Sequence, residues 1–464
     1  MVKKIACILF SLLFVISIAA CGGNDANSND SYSKDQTNAS NNDYVMSGGI
    51  IDVSVDSELI EQSELANKDF GGKDAQFYFW YQTNEIVNRK VSEFNKKHNA
   101  NVKVVIGTSF AEDLAKSIAG GKPYTMTANS ARFFPQTVFS NLYEPLNDLI
   151  KEVDYFDSAK PDNGGISKQL NESFTWNGKF YAAGSAQACY SYAYYYNKKK
   201  YEEAGLEDPY ELWKKGEWTW EKMVEQGKQV TDVSNGVGFL EAPELHTWLS
   251  LHGLTYIKKT GENTFSDNLT DKDVVQAIND YKALVISDEP ICVMGTKKLS
   301  WYSYIATIDA YTQIATNVKT SSNFGRKVAN LGVVPIPSGT IAGGKYPTHI
   351  PQGYSAVKGS AEPTMAPCYA LFESRIADSD VGSDLQMPSE IRNYINNAFS
   401  SNGFAPLVGF ENTEGRNIIQ VINLDVGYPL ILNNADVTAT LTEKRPVLNA
   451  VITSALSNAS NFKG

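Results

Sequence analysis

A strand, a helix and a second strand follow one another closely, and this order constrains the fold more than any other feature. Residues 76–80 (QFYFW) and 102–106 (VKVVI) are rich in the aromatic and β-branched residues that favour strands. Between them, apolar residues recur at helical spacing from Glu85 to His98, with charged residues interspersed. Two strands joined by a crossover helix pair in parallel through a right-handed connection. We therefore predict an α/β fold that contains a parallel sheet.

The same alternation continues along the chain. Thr219 is a candidate N-cap, and Gly120-Gly121 and Pro335 are expected to end a helix and a strand. A chain of 464 residues, at roughly 100–200 residues per domain, is long enough for two or three domains. Further helices are predicted near residues 111–120, 199–205 and 271–286, and further strands at residues 179–182, 191–197 and 331–334.

The amino terminus is typical of an export signal. Lys3 and Lys4 precede an uncharged run from Ile5 to Ala20, which is shorter than the roughly 20 apolar residues that span a membrane. The run ends in Ile18-Ala19-Ala20-Cys21, which resembles a bacterial lipobox. This resemblance implies that residues 1–20 are removed and that Cys21 carries a lipid. The alternative is an ordinary secretory signal cut at an Ala-x-Ala-like site, with Cys21 playing no part.

The residues after Cys21 have the composition of a tether. Residues 22–43 contain 16 Gly, Asn, Asp and Ser in 22 positions, too polar to build a core. Residues 44–70 are weakly patterned. We predict that residues 21–70 form a flexible tether that holds an extracytoplasmic protein at the cell membrane, with the lipid as its only membrane contact.

Composition and missing motifs exclude several function classes. The formal net charge of −11 argues against nucleic acid, which needs a basic surface. The sequence contains no G-x-S-x-G, H-E-x-x-H or G-x-x-x-x-G-K-[ST] motif. Beyond Cys7 and Cys21, the cysteines Cys189, Cys292 and Cys368 fit no zinc spacing and are expected to be small buried side chains. We predict no enzyme activity and no cofactor, although paired carboxylates leave a glycoside hydrolase open.

Several short segments occur in the order that one protein family shows. From about residue 74 onward the chain resembles the extracellular solute-binding proteins of ABC importers, in the group that contains maltose-binding protein. One departure is Thr125-Met126-Thr127-Ala128-Asn129, where the family commonly has a strand that begins with Asp. The segments that carry the resemblance are residues 75–106, 134–146, 176–181, 195–198, 204–206, 218–221, 331–337 and 403–407.

The resemblance implies a two-lobe, periplasmic-binding-protein-like α/β fold with a ligand cleft between the lobes. It places residues 71–187 and 354–404 in lobe one and residues 188–353 and 405–464 in lobe two. Strands are expected to cross between the lobes near residues 185–190, 351–354 and 402–407. The implied function is that of a monomeric binding subunit, which delivers a sugar or oligosaccharide to a membrane permease pair driven by a separate ATPase.

The resemblance also implies which regions line the cleft, and the chemistry of sugars selects the candidate ligand-binding residues within them. Aromatic side chains cover the C–H faces of a sugar, and polar side chains bind its hydroxyl groups. For Trp80 and Trp248 the competing role is core packing, and for Arg132 it is a surface ion pair. Trp220 is assigned to structure because its segment marks a helix start. The candidates are Trp80, Tyr81, Asn84, Asn129, Arg132, Tyr190, Trp248, Trp301, Tyr302 and Tyr354.

Other solutes remain open at this point. A peptide, a polyamine or an organic anion fits the same implied fold. The run Tyr190, Tyr192, Tyr194, Tyr195 and Tyr196 also suggests ferric iron, because tyrosinates bind it. Alternate residues on a strand point to opposite faces, which argues against a shared iron site.

Overall fold

The computed structural model describes residues 62–80, 85–107, 109–155, 165–184, 190–261, 264–293, 303–310, 328–337, 349–350, 352–375, 390–391 and 418–460. Within these ranges the chain is a mixture of strands and helices, as predicted. None of the helices in this part of the chain has both the length and the apolar character needed to cross a bilayer.

The strands carry the framework of the fold. In chain order they are β1 (Asp74–Phe79), β2 (Asn101–Ile106), β3 (Met126–Ser130), β4 (Thr175–Trp176), β5 (Lys179–Phe180), β6 (Tyr190–Asn197), β7 (Val237–Glu241), β8 (Ile257–Gly261), β9 (Thr264–Asp267), β10 (Cys292–Val293), β11 (Ser303–Ala310), β12 (Leu331–Val334), β13 (His349–Ile350) and β14 (Gln352–Ala356).

Helices connect many of the strands along the chain and pack against the sheets. They are α1 (Glu85–Lys97), α2 (Phe110–Ala119), α3 (Gln136–Phe139), α4 (Lys168–Ser173), α5 (Lys198–Glu203), α6 (Pro209–Lys215), α7 (Trp220–Val230), α8 (Leu245–Leu251), α9 (Lys272–Ile286), α10 (Met365–Arg375), α11 (Ile418–Val421), a π-helical segment (Ile422–Gly427), α12 (Tyr428–Leu432) and α13 (Val437–Ser460).

Sheet one has the order β14-β3-β1-β2. Strand β1 pairs in parallel with both β2 and β3, whereas β14 runs antiparallel to β3. The predicted strand–helix–strand unit is confirmed as β1, α1 and β2. Its helix buries Val91 and Phe94 because those apolar positions recur on one face. We call sheet one, helices α1, α2 and α10, and residues 131–155 and 165–184 lobe one.

Sheet two has the order β10-β7-β11-β6-β12, and β13 pairs with the start of β6. Strand β7 is parallel to β10 and β11, and β6 is antiparallel to β11 and β12. Helix α7 packs on β7, and its cap is the predicted one, since the Thr219 side chain accepts from the backbone N–H of Lys222. We call this sheet, helices α5 to α9 and the β8–β9 hairpin lobe two.

The chain passes between the two sheets at two neighbouring places. Gly184 is beside sheet one, and the chain is next described at Tyr190, where β6 begins. It returns between Ile350, paired with Tyr190, and Gln352, paired with Ser130. The return between Ile350 and Gln352 falls where the second crossing is expected. Residues 185–189 of the first expected crossing, and the third near residues 402–407, lie outside the described residues.

The direction of the strands at these passages determines which edges of the sheets face each other. In sheet one, the passages adjoin Ser130, the last residue of β3, and therefore the carboxyl ends of the parallel strands. In sheet two they adjoin the start of β6, which lies beside Ala310 at the carboxyl end of β11. The carboxyl edge of each sheet is thus the edge that leads to the other sheet.

Two glycines allow the crossing segments to touch beside sheet one. Tyr354 and Ala183 exchange backbone hydrogen bonds, donating at 2.6 Å and 3.0 Å respectively. A Cβ atom on Gly184 would lie 2.6 Å from the carbonyl oxygen of Gln352, and one on Gly353 would lie 2.8 Å from that of Ala183. Neither position has room for a side chain.

The buried side chains form two clusters. The smaller cluster fills the space between sheet one and helices α1 and α10, with Phe77, Phe94 and Tyr369 at its centre. The larger one begins on the opposite side of sheet one and continues into lobe two. It contains a contact between lobes, because the rings of Trp176 and Phe265 stack with centroids 6.1 Å apart.

The folded part of the chain begins earlier than its sequence pattern indicates. Leu65, Ala66 and Phe70 are buried in the smaller cluster, exposing 5%, 6% and 2% of their surfaces. The tether predicted to extend to residue 70 is therefore too long at its carboxyl end. The apolar residues in this part of the chain are irregularly spaced, so sequence periodicity could not predict that they are buried.

We expect Gly184→Ala to destabilise the protein by about 1–3 kcal/mol, because the added methyl group must push the two crossing segments apart. Urea unfolding followed by circular dichroism would measure this. Adding Gly353→Ala should cost less than the sum of the single changes, since both methyl groups disturb the same contact. A Gly184→Ala protein as stable as the wild type would show that the segments are not closely packed.

Candidate functional site

The facing carboxyl edges of the two sheets define the candidate site. Ligands of open α/β sheets bind beyond the carboxyl ends of the strands. In lobe one this edge carries Trp80 after β1, Gly107 after β2 and Ala131 after β3. In lobe two it carries Glu241 at the end of β7 and Pro335 after β12. A solute between these edges would contact both lobes.

The edge of lobe one presents an aromatic corner, formed by Trp80, Phe110 and Phe133. The rings of Trp80 and Phe133 meet edge to face at 5.1 Å, and those of Phe133 and Phe110 lie 4.4 Å apart. Phe110 is buried, whereas Trp80 and Phe133 are partly exposed. Phe133 was missed in the sequence, because only the structure shows that the turn after β3 brings it beside Trp80.

Two hydrogen bonds to Asp113 hold the chain that follows β2 near this corner. The Tyr78 hydroxyl donates to Asp113 Oδ2 at 2.8 Å, and the Ser109 N–H donates to the same oxygen at 3.2 Å. Burial and the neighbouring carboxylate raise the pKa of Tyr78, so the hydroxyl keeps its proton. Gly107 is required here, since a Cβ atom would lie 2.1 Å from the Tyr78 oxygen.

Asn129 lies at the predicted edge, but its amide hydrogen-bonds within the protein. It is 2% exposed, its Nδ2 donates to Ser355 Oγ at 2.9 Å, and its Oδ1 accepts from the N–H of Ser130. The Ser355 hydroxyl in turn donates to the carbonyl of Tyr181 at 2.6 Å. These bonds join β3, β14 and the chain that leads to the first crossing.

Tyr354 belongs to the layer between sheet one and its helices. Its ring lies 4.8 Å from that of Tyr369, and its hydroxyl donates to Glu373 Oε2 at 2.6 Å. Glu373 also pairs with Lys90 at 3.0 Å, and both of these side chains are largely buried. The contacts of Tyr354 are therefore those of a residue that attaches β14 to α1 and α10.

Trp248 packs inside lobe two. It is 1% exposed, its indole N–H donates to the carbonyl of Ala277 at 2.7 Å, and its ring contacts Trp220 and His252. Core packing accounts for all of these contacts. Trp220, expected to be structural, takes part in the same packing.

The edge of lobe two is polar. Glu241 accepts a hydrogen bond from Thr307 at 3.0 Å. Nearby, Glu244 lies 3.1 Å from the ring of the buried His246, and Asn423 Nδ2 donates to Glu244 at 3.2 Å. Sequence reasoning missed this group, because Asn423 is 177 positions from His246 and no motif links them.

The remaining predicted residues are placed only in part. Arg132 lies in the short 3-10 turn after β3, and Tyr190 is the first residue of β6; both therefore lie at the facing edges, but their side chains are outside the described part. The other predictions that fall outside the described residues are Tyr81, Asn84, Trp301, Tyr302 and the lipidation site Cys21.

Packing accounts for the tyrosines of β6 whose side chains the structure describes. Tyr194, Tyr195 and Tyr196 are fully buried. The hydroxyls of Tyr194 and Tyr201 are 2.6 Å apart, and that of Tyr196 donates to Asp208 at 2.7 Å. Burial raises the pKa of Tyr194 and Tyr201 well above the usual value. These buried phenols do not favour the tyrosinate form that ferric iron would need.

The two cysteines in the described ranges are buried thiols, as expected for small core residues. Cys292 is in lobe two and Cys368 in lobe one. Burial raises the pKa of Cys292, so this thiol is not reactive in the folded protein. Cys189 lies outside the described residues.

Solved structures of several sugar-binding proteins share this fold. The galacto-N-biose/lacto-N-biose I-binding protein of an ABC transporter from Bifidobacterium longum, in complex with lacto-N-biose, is 14% identical, with a TM-score of 0.60 over 84% of this chain and 99% of that one. The GacH receptor of Streptomyces glaucescens, solved unliganded and with acarbose, is 16% identical, with a TM-score of 0.59 over 82% and 99%.

A third structure, an ABC transporter solute-binding protein from Thermotoga lettingae bound to α-D-tagatose, is 13% identical. It has a TM-score of 0.58 over 82% of this chain and 100% of that one. At these identities the likeness shows a common two-lobe fold, of the kind found in maltose-binding proteins. No curated protein sequence matches the chain significantly.

The sequence itself matches a family over more than half of its length. The family described as bacterial extracellular solute-binding protein matches residues 82–366, a range that begins just after β1 and ends within α10. The members of this family are binding proteins of transport systems. The chain therefore belongs to the bacterial extracellular solute-binding proteins.

Proposed function

We propose that this protein captures a sugar or oligosaccharide between its two lobes and delivers it to an ABC permease. The observation that carries the proposal is the aromatic corner of Trp80 and Phe133 at an edge that faces the polar edge of lobe two. Aromatic faces match the C–H surface of a sugar, and the carboxylate of the partly exposed Glu241 offers acceptors for its hydroxyls. The three structural neighbours described above bind carbohydrates, which supports this choice.

Stacking alone would give weak binding. If the corner buries about 150 Å² of apolar solute surface, the gain is about 4 kcal/mol at roughly 25 cal/mol per Å². That gain corresponds to about millimolar affinity before the cost of association. Tighter capture therefore requires hydrogen bonds from lobe two in a cleft that closes and excludes water.

We infer that the cleft closes when the two lobes rotate about the crossing segments. A solute that touches both lobes favours the closed arrangement by the difference between its affinities for the closed and open states. Rotation about the segments beside Gly184 and Gly353 would bring the two edges together, as in other hinged proteins. A permease pair would then recognise the closed form, and a separate ATPase would supply the energy for transport.

In the proposed function, the protein makes and breaks no covalent bond of the solute. A glycoside hydrolase would need two carboxyl groups that flank the glycosidic bond, one of which acts as the acid. Calorimetry with a panel of carbohydrates, together with a polyamine, a peptide mixture and an organic anion, would identify the solute class. Product formation from any glycoside in the panel would instead favour the enzyme alternative.

We expect Trp80→Ala and Phe133→Ala each to weaken carbohydrate binding by about tenfold to a hundredfold. Each change removes apolar contact with the solute worth about 1.4–3 kcal/mol. Calorimetry on the purified variants, with the carbohydrate identified by the panel, would measure the dissociation constants.

Phe180→Ala provides the matched control. Phe180 is also a partly buried aromatic residue of lobe one, but it lies in the β4–β5 hairpin, beside Leu146 and away from the carboxyl ends of β1 and β3. Its loss should lower stability without changing affinity. Equal effects of all three changes on affinity would show that the aromatic corner is not the binding surface.

We also propose that Cys21 carries the lipid that keeps the protein at the membrane, with the following polar residues as the tether. Cys21→Ser removes the thiol to which the lipid would be attached, so the protein should move from the membrane fraction into the medium. Immunoblots of both fractions would detect the change. Retention of the Cys21→Ser protein on membranes would contradict the anchor, even if carbohydrate binding were intact.

A further inference from the structure

Residues 62–73 lie across lobe one ahead of its first strand, and we call this segment the strap. It precedes the region that matches the family, which begins at residue 82. Three of its apolar residues are buried in the smaller core cluster, together with side chains of α1 and α10. The strap is therefore part of the folded lobe, although its sequence resembles neither a strand nor a helix.

A buried hydrogen bond fixes the first half of the strap. The hydroxyl of Ser63 donates to Asp154 Oδ1 at 2.6 Å and accepts from the N–H of Ala66 at 3.0 Å. Ser63 and Asp154 are 0% and 1% exposed. The second carboxylate oxygen accepts from the N–H of Lys151. Without the Ser63 hydroxyl, Asp154 would keep a buried charged oxygen with one hydrogen bond fewer, which is costly.

Aromatic packing and backbone hydrogen bonds hold the second half. The Phe70 ring lies 6.0 Å from that of Phe94, and the Phe70 N–H donates to the carbonyl of His98 at 2.9 Å. His98 Nδ1 donates in turn to the carbonyl of Lys68 at 2.9 Å. The N–H of Gly72 donates to the carbonyl of Asn99 at 2.7 Å. The end of α1 is thus bonded to the strap at three points.

A cysteine of lobe one lies beneath the strap. The thiol of Cys368, in α10, donates to the carbonyl of Leu65 at 3.1 Å and lies 3.6 Å from His98 Nδ1. Cys368 is 1% exposed. Lifting the strap removes the backbone that covers this sulfur, so the reactivity of Cys368 reports on whether the strap is docked.

The contacts described for the strap are all with lobe one: α1 and its end, the start of β2, the turn at residues 151–154, and α10 with the residues just before it. We infer that the strap attaches the tether to lobe one alone and opens as a unit without unfolding lobe two. The inference rests on the proposed anchor at Cys21 for its cellular role. It leaves lobe two free to rotate about the crossing segments while the protein stays attached.

Thiol labelling of the purified full chain, resolved by peptide mass spectrometry, tests this inference. We expect Ser63→Ala to speed the labelling of Cys368 by roughly tenfold, and Phe70→Ala to speed it at least as much, because each weakens strap docking. Cys292, buried in lobe two, is the internal reference and should react at its wild-type rate. Gln62→Ala is the matched control, since Gln62 is an exposed residue of the strap and its change should leave both rates unaltered.

Two results would overturn the inference. If neither variant changed the rate of Cys368, the strap would not open as a unit. If Cys292 accelerated together with Cys368, loss of the strap would unfold both lobes. The labelling needs no solute and no membrane. A negative result in the carbohydrate assay or in the Cys21→Ser assay can therefore be told apart from a negative result in the labelling of Cys368.

Discussion

The contact between the two crossing segments determines how the rest of the molecule can work. Gly184 and Gly353 let two backbones approach more closely than side chains would allow, and Ala183 and Tyr354 exchange hydrogen bonds there. Because both segments leave sheet one at its carboxyl edge and reach sheet two at its carboxyl edge, the two edges must face each other. The cleft is thus a consequence of chain direction, and the residues at these edges become the candidate binding surface.

The described residues at the edges differ in how much of their surface remains exposed. Asn129, Tyr354 and Trp248 have hydrogen-bond partners inside the protein, and their contacts hold the sheets and helices together. Trp80 and Phe133 keep part of their surface exposed. Both rings also pack against the larger cluster, and this packing gives a binding surface the rigid support that it needs.

Much of the fold could be predicted from the sequence because it is encoded locally. The helical spacing between residues 85 and 98 and the proline that ends β12 gave elements within a residue or two of those observed. The family resemblance gave the two-lobe arrangement, which no local pattern contains. The strap could not be predicted, since Leu65 and Phe70 are isolated apolar residues whose burial depends on distant partners, up to 303 positions away in the case of Leu65 and Cys368.

The candidate site was harder to predict than the fold, for the same reason. Phe133 becomes a neighbour of Trp80 only through the pairing of β1 with β3, and Asn423 meets Glu244 from a distant part of the chain. Tryptophan also suits cores and binding surfaces equally well, so sequence alone could not separate Trp80 from Trp248.

A crystal structure of the protein with the carbohydrate found by calorimetry would test capture between the lobes most directly. We expect the solute between the two sheets, with a sugar ring against Trp80 and Phe133 and its hydroxyls within hydrogen-bond distance of the edge that carries Glu241. A solute bound to one lobe only, or away from both carboxyl edges, would contradict it.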